Sequence, residues 1–361
     1  MSVASIALDP REGVPASLGE AWSALRAGDP ALASPYFHPD YASAVARTSP
    51  SPVRVLVEGD TPRGILAVQG GQHARPAGAP MSDYHGVVGT PEGGLEALLS
   101  RAGIGALSVG GLVGAAHEGV ESVPVCRLDL SGGYEAWRAR RDSSYSRHSK
   151  GHRRRVRRAG EEVGEPRLVA RSRDVDDFNT LIAWKRAQYR ESGKFDVLGG
   201  WPRELLRDLW ERGGELRAEL HALYFGDRPA AFDLGLSDGA TFHSWIVAYD
   251  PELAAYGPGI QLLEAVVEAA TALGYATVDL GVGLDGYKRH YTDDAPSVGV
   301  GVVHGGGAAA VASRLYRGAE ARVEPLARLR RRYGQIAAVE PRWSGRARGI
   351  TQAMRGELRP G

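Results

Sequence analysis

The chain is short of several things, and each shortage removes a class of function. It has one cysteine, Cys126, in 361 residues. A single thiol makes no internal disulfide and no cysteine-rich zinc site, so nothing in the sequence calls for an oxidising compartment. Net charge is nearly absent, with 44 basic residues against 43 acidic ones. A general nucleic-acid binder carries a clear basic excess, so DNA is not an expected partner. No run approaches the roughly 20 apolar residues of a membrane span. The opening MSVASIALDPREG lacks a basic segment followed by an apolar one, so no signal peptide is expected and the cytoplasm is the expected compartment. Internal repetition is also missing.

What remains has the texture of α/β protein, and the length suits two domains. Residues 1–123 read as a first α/β unit. Strands are expected at Val3–Leu8, Val53–Val57 and Gly64–Val68, and helices at 17–27, through Tyr41 and Val45, and at 93–101. Ser82-Asp83-Tyr84-His85-Gly86 reads as a strand mouth whose alternation puts Asp83 and His85 on one face. Residues 124–305 form a second unit. A strand at 124–130 leads into a stretch with ten Lys or Arg against one acid between Arg138 and Arg158. That stretch is either a solvated helix face or the border of an anionic ligand.

From residue 165 the pattern sharpens. A strand at 167–170 precedes a helix from Asp174 to Glu191, with Phe178, Leu181, Ile182 and Tyr189 at helical spacing. A second helix covers 202–212. Three strands then make a meander, 216–225, 229–236 and 241–248, turned by Gly226-Asp227 and Ser237-Asp238-Gly239. A helix runs to Leu273 and Gly274 stops it. Strands follow at 276–280 and 297–303. The order mixes an antiparallel meander with a βαβ crossover, an α/β (α+β) class with mixed, largely antiparallel sheets.

Three segments of this second unit suggest chemistry. In Tyr256-Gly257-Pro258-Gly259-Ile260-Gln261 a strand ends and a helix begins. Pro258 suits the first helical turn. The two glycines clear space, and the helix start offers N–H groups and a favourable dipole to a phosphate. The same pattern also makes an ordinary strand-to-helix turn. In Val278 to Tyr291 a buried-looking strand runs into glycines and then Tyr287-Lys288. Lys288 would stabilise an oxyanion, hold a phosphate or pair with Asp279. The strand Phe242-His243-Ser244-Trp245-Ile246-Val247 carries His243, which would serve as a base or sit as a satisfied strand histidine.

Together these segments resemble the CelD/BcsL-type branch of the GNAT acyltransferases, which is similar to the FemABX transferases. The carriers are Ser34 to Pro39, Asp83 to Gly86, Arg147 to Arg158, Trp184-Lys185 with Tyr189, Tyr249-Asp250-Pro251, Tyr256 to Gly259, and Asp279 to Gly283 with Tyr287-Lys288. The resemblance spans about residues 20–305. It implies two tandem GNAT-like domains and transfer of an acyl group, acetyl in the family's usual chemistry, from acyl-CoA to an amine. Trp245, Ile246, Val247, Tyr256, Gly257, Gly259, Ile260 and Gln261 would hold the donor. Lys288, Tyr287, His243, Asp83 and His85 would carry the chemistry. The implied acceptor is an amino sugar of exopolysaccharide or holdfast synthesis. One departure stands out. The family's phosphate loop reads [Q/R]-x-x-G-x-[G/A], and here Tyr256 and Gln261 stand at its first and last positions around Gly259. FemABX-like proteins also depart from it and use aminoacyl-tRNA, which is the alternative donor. A non-catalytic GNAT-like binding module is the other alternative.

Residues 306–361 lie beyond the resemblance as an Arg-rich helical tail, with eleven Arg and three Glu between 314 and 355. Its basic run, densest at Arg328 to Tyr333, reads as a solvated helix, as an attachment to the anionic inner face of a membrane, or as a site for a cyclic dinucleotide.

Overall fold

A computed structural model describes residues 2–141, 143–284, 286–292, 295–307, 310–311, 336–340 and 346. The strands, in chain order, are β1 (Val3–Ala7), β2 (Val53–Glu58), β3 (Gly64–Gly70), β4 (His73–Pro76), β5 (Val88–Gly89), β6 (Ala106–Leu112), β7 (Val120–Asp129), β8 (Pro166–Val169), β9 (Arg217–Phe225), β10 (Arg228–Ser237), β11 (Thr241–Tyr249), β12 (Thr277–Val282) and β13 (Ser297–His304). The helices are α1 (Ala16–Ala27), α2 (Pro39–Thr48), α3 (Gly94–Arg101), α4 (Tyr134–Arg140), α5 (Ser143–Glu162), α6 (Val175–Glu191), α7 (Trp201–Arg212) and α8 (Pro258–Leu273). This is a mixed α/β protein.

The chain forms two compact units, one of Met1–Val123, Ser192–Asp208 and Ser297–Gly361, the other of Pro124–Glu191 and Leu209–Pro296. One division between the units falls at 123/124. The stretch 124–305 is not held together, however, for two physical reasons. β13 pairs antiparallel with β6. The start of α7 belongs to the first unit, where Asp208 binds Arg47 at 2.7 Å and the Trp201 indole donates to the Ala338 carbonyl at 3.0 Å. The densest part of the Arg-rich tail, 328–333, lies outside the described residues.

In the first unit β1, β2, β3 and β4 are successive antiparallel neighbours, β5 adds to β3, and β4 runs parallel to β6. The segment 82–86 is corrected here. It is not a strand. His85 makes a single bridge to Leu112, and His85 is buried while Asp83 is half-buried. The backbone of Asp83 crosses so close to Gly111 that a Cβ there would lie 1.7 Å from the Asp83 carbonyl oxygen. Glycine thus permits two backbones to touch, and that contact replaces the expected alternation.

The second unit has its own run of paired strands. β8, β9, β10 and β11 form an antiparallel meander, β12 joins β11 in parallel, and β12 pairs antiparallel with β7. Gly226 turns the first hairpin at φ 61°. α8 packs through Leu262, Leu263, Val266, Val267 and Ala270 into a core with Phe225, Ala231 and Phe242. Each of these leucines and valines contributes about 1.5–3 kcal/mol on full burial. Gly274, left-handed at φ 83°, ends the helix and lets the Tyr275 N–H return to the Ala270 carbonyl. α6 lies over β10 and β11 with Phe178, Leu181 and Ile182 buried, and its Trp184 packs on Phe232 with ring centroids 5.3 Å apart.

Candidate active site

β11 and β12 pair through three positions only, and the last is His243 with Asp279. β11 then runs on to Tyr249, held by β10 on its other side. From Ser244 to Tyr249 its free edge has no strand partner among the described residues. Ser244, Trp245 and Val247 keep some exposure there, although neighbouring strand positions are buried. A register shift at Leu234/Gly235 lets Trp245 bulge out of the β10 pairing. An open edge of this kind offers N–H and C=O groups to an extended guest.

At the end of that edge the chain makes a short turn, Pro251–Tyr256, and enters α8. Gly257 is left-handed at φ 65° and carries no capping side chain. A Cβ on Gly257 would lie 3.0 Å from the Arg155 Nε of α5, and one on Gly259 only 3.7 Å from Tyr249. A guanidinium therefore lies beside a helix start whose dipole is also positive, an arrangement that favours an anion between them. The Ile260 and Gln261 N–H groups bond the Gly257 carbonyl. The Gln261 amide donates to the Tyr256 carbonyl at 3.0 Å, and the Tyr256 hydroxyl donates to Glu162 at 2.7 Å. The two residues that depart from the family loop thus brace it.

The chemistry along the open edge centres on a residue the sequence reading did not single out. Asp233 of β10 pairs with Val247 of β11 and is 4 % exposed. Its Oδ2 accepts the Ser244 hydroxyl at 2.7 Å, and its Oδ1 accepts no hydrogen bond from a described residue. Burial pushes its pKa up to about 7, against the opposing pull of the Ser244 hydroxyl, of His243 and Lys185, and of the Trp245 N–H. Tyr287 stands within its field. Burial of the hydroxyl, then the charges of Asp233 and Cys126, push the phenol up to about 12, although the ring keeps 39 % exposure. Lys185 of α6 reaches β11 and donates to the Val247 carbonyl at 3.0 Å. The signal for Asp233 was present as the lone charge in the apolar run Ala230 to Leu236.

His243 is fully buried, with its Nδ1 3.4 Å from Asp279. Burial would raise the Asp279 carboxyl, but His243, Arg127 and the Gly281 N–H outweigh it and hold it at about 2. The two side chains sit at the apex where β11 and β12 part. The Lys288 ammonium donates to the Leu280 and Val282 carbonyls at 2.6 and 3.2 Å, and its own carbonyl receives the Cys126 thiol at 3.3 Å. It ties the loop carrying Tyr287 to the end of β12. His85 and Asp83 belong to the other unit. There burial pushes His85 down to about 4, and its Nε2 accepts the Gly110 N–H at 3.2 Å. That bond occupies the lone pair a base would use.

Asp279→Asn is expected to cost about 2 kcal/mol at pH 7, from a pKa depression of roughly two units. The folded-state pKa lies below the unfolded one, so the contribution is present above pH 3.8 and is lost as pH falls toward 2. Urea unfolding between pH 2 and 7 checks it. A variant with wild-type stability at both ends would remove the ion pair from the account.

Residues 146–289 match the family model described as Acetyltransferase (GNAT) domain. No curated protein matches the chain. Among solved structures, the C-terminal domain of a putative lysylphosphatidylglycerol synthetase from Agrobacterium fabrum is 12% identical over 83% of this chain and 95% of that chain, with a TM-score of 0.49. A tandem GNAT protein from the clavulanic acid biosynthesis pathway is 12% identical over 85% and 100%, with a TM-score of 0.45. FemX is 10% identical over 83% and 96%, with a TM-score of 0.48.

Proposed function

We propose that the second unit, which carries the GNAT-type segment 146–289 apart from residues 192–208, is an N-acyltransferase that moves an acyl group from acyl-CoA to an amine. The observation that carries this reading is the open edge of β11, from Ser244 to Tyr249, ending at the start of α8. An acyl-CoA has the complementary parts in the same order. Its pyrophosphate meets the Gly259 N–H and Arg155, and its amide-bearing arm pairs along the edge. Trp245, Ile246 and Val247 then lie beside the thioester. The space above Gly259 admits the donor, because a Cβ there meets nothing nearer than 3.7 Å.

The chain's own groups complete the reaction. The neutral amine attacks the thioester carbon, and backbone N–H groups of the β11 edge stabilise the oxyanion. The Asp233 Oδ1 accepts the amine proton, since a base with a pKa near 7 both deprotonates and releases at neutral pH. The C–S bond breaks, and the thiolate takes the proton of the Tyr287 hydroxyl. Lys288 acts through Tyr287 by fixing its loop. The acetyl group is the finer reading and rests on the resemblance stated above; the amino-sugar acceptor of exopolysaccharide synthesis that the resemblance also implies is the alternative against which the acceptor cavity described below is tested. No helix among the described residues is long and apolar enough to cross a membrane.

A test is release of free thiol from acetyl-CoA with primary amines, glucosamine among them, as acceptors. Amine-dependent release by the wild type, absent in Asp233→Asn, is the expected result. No release by folded protein with any acyl-CoA contradicts the reading. One observation favours a second donor. Arg147, Lys150 and Arg154 form an exposed row on α5, spaced for one helix face. Aminoacyl-tRNA would suit that row, and its signs are RNA copurification and binding that weakens steeply with salt.

A further inference from the structure

A cavity of about 400 Å³ lies between α6 and the end of β11, wholly within the second unit. On one side α6 contributes Trp184, Gln188 and Glu191, spaced i, i+4, i+7 on one face. On the other side are Tyr249, Asp250 and Glu252. No Lys or Arg is among its lining residues. Asp250 and Glu252 share Arg228 at 2.5 and 2.6 Å, while Glu191 has no ion pair among the described residues. Two aromatic side chains and a carboxylate without an ion pair line one space, a lining that selects an organic cation. Ring faces attract ammonium groups, and the carboxylate supplies the countercharge. The volume falls within the ~300–1,000 Å³ of small-molecule sites and far exceeds what one water or metal ion needs.

We infer that this cavity is the acceptor pocket and takes a polyamine-type substrate, holding one protonated amine while a second is acylated. The inference rests on the acyl-transfer reading above and adds the acceptor's chemistry. The wall begins at Ala248, three residues along β11 from Trp245. Three residues of strand span about 10 Å. An acceptor with its nitrogens about that far apart places one at the thioester and the other between Trp184, Tyr249 and Glu191. Only the uncharged nitrogen reacts, so the anchored one stays protonated and intact through the acyl transfer.

The test is calorimetric titration of the full chain with spermidine, and separately with glucosamine and with acetyl-CoA. Spermidine is expected to bind at least ten-fold more tightly than glucosamine. Glu191→Gln, a surface change that leaves the fold alone, and Trp184→Ala are each expected to weaken spermidine at least ten-fold and to leave acetyl-CoA affinity unchanged. Three results overturn the inference: folded wild type that does not bind spermidine, spermidine binding indifferent to both variants, or tighter binding of glucosamine. Loss of acetyl-CoA affinity in Trp184→Ala also overturns it, because the cavity then belongs to the donor. Spermidine binding lost in the variants, in a protein that does not bind acetyl-CoA, upholds the cation pocket and removes the donor reading instead.

Discussion

Asp233→Asn is expected to lower turnover about 10²–10⁴-fold, the range a positioned general base supplies. The same change is expected to make the protein more stable at pH 8. The two effects have one cause. The carboxyl is buried, so its charged form is disfavoured and its pKa rises to about 7. Because the folded-state value lies above the ordinary 3.8, the folded protein holds a proton that the unfolded chain releases. Stability therefore falls as pH rises from 3.8 to about 7 and levels off above that. The full fall is up to roughly 4 kcal/mol at 1.36 kcal/mol per pKa unit. Asparagine keeps the shape, retains an oxygen for the Ser244 hydroxyl and lacks the penalty. Activity runs the other way, since the base works only as a carboxylate, so the rate should climb with pH through about 7 and the variant should lose that limb. Urea unfolding at pH 5 and 8, beside a pH–rate profile, reads both. Unchanged turnover would exclude Asp233 as the base, and a less stable variant at pH 8 would exclude the buried charge.

Tyr287→Phe is expected to lower turnover by about 10–100-fold, at or below the usual range for a proton donor, because solvent can replace part of its role. Donor and acceptor affinities should hold. With its pKa pushed up to about 12, the phenol is fully protonated at neutral pH and can give its proton to a departing thiolate. Phenylalanine keeps the ring that meets Tyr291 edge-on at 6.1 Å, so the loop should stay in place. The deficit should shrink with an acyl donor whose thiol has a lower pKa, since such a leaving group needs less help. An equal deficit with every leaving group would assign Tyr287 a positioning role.

The elements around the site were readable because each combines one clear period with turn residues at its ends. β9 to β11 alternate or run apolar between Gly226-Asp227 and Ser237-Asp238-Gly239, and α8 shows its apolar face between Pro258 and Gly274. β4 and β6 were not readable. In β6 the segment Ala-Leu-Ser-Val-Gly-Gly-Leu has few β-branched residues and two glycines, and it becomes a strand through pairing with β13 far along the chain. Gly111 serves the close approach of Asp83 instead of a turn. In the site, the donor loop and Tyr287-Lys288 could be picked out locally. The importance of Asp233 could not, because it depends on register: Asp233 faces Val247, and a bulge brings the Ser244 hydroxyl to it. His243 was visible as a titratable group, but only the three-residue pairing of β11 with β12 shows that it sits at the buried apex with Asp279. Lys288 was visible too, and its bonds to the Leu280 and Val282 carbonyls show it holding the loop.

The central claim is that an acyl-CoA lies with its pyrophosphate at the start of α8. The most direct measurement is calorimetric titration of acetyl-CoA into the wild type and into Gly259→Arg. The substitution tests the space and spares the fold, because a Cβ at Gly259 meets only Tyr249, at ordinary contact distance. The account predicts micromolar binding by the wild type, about −8 kcal/mol, and at least a hundred-fold loss in the variant. Equal affinity in the two proteins, or no binding by folded wild type, would contradict it.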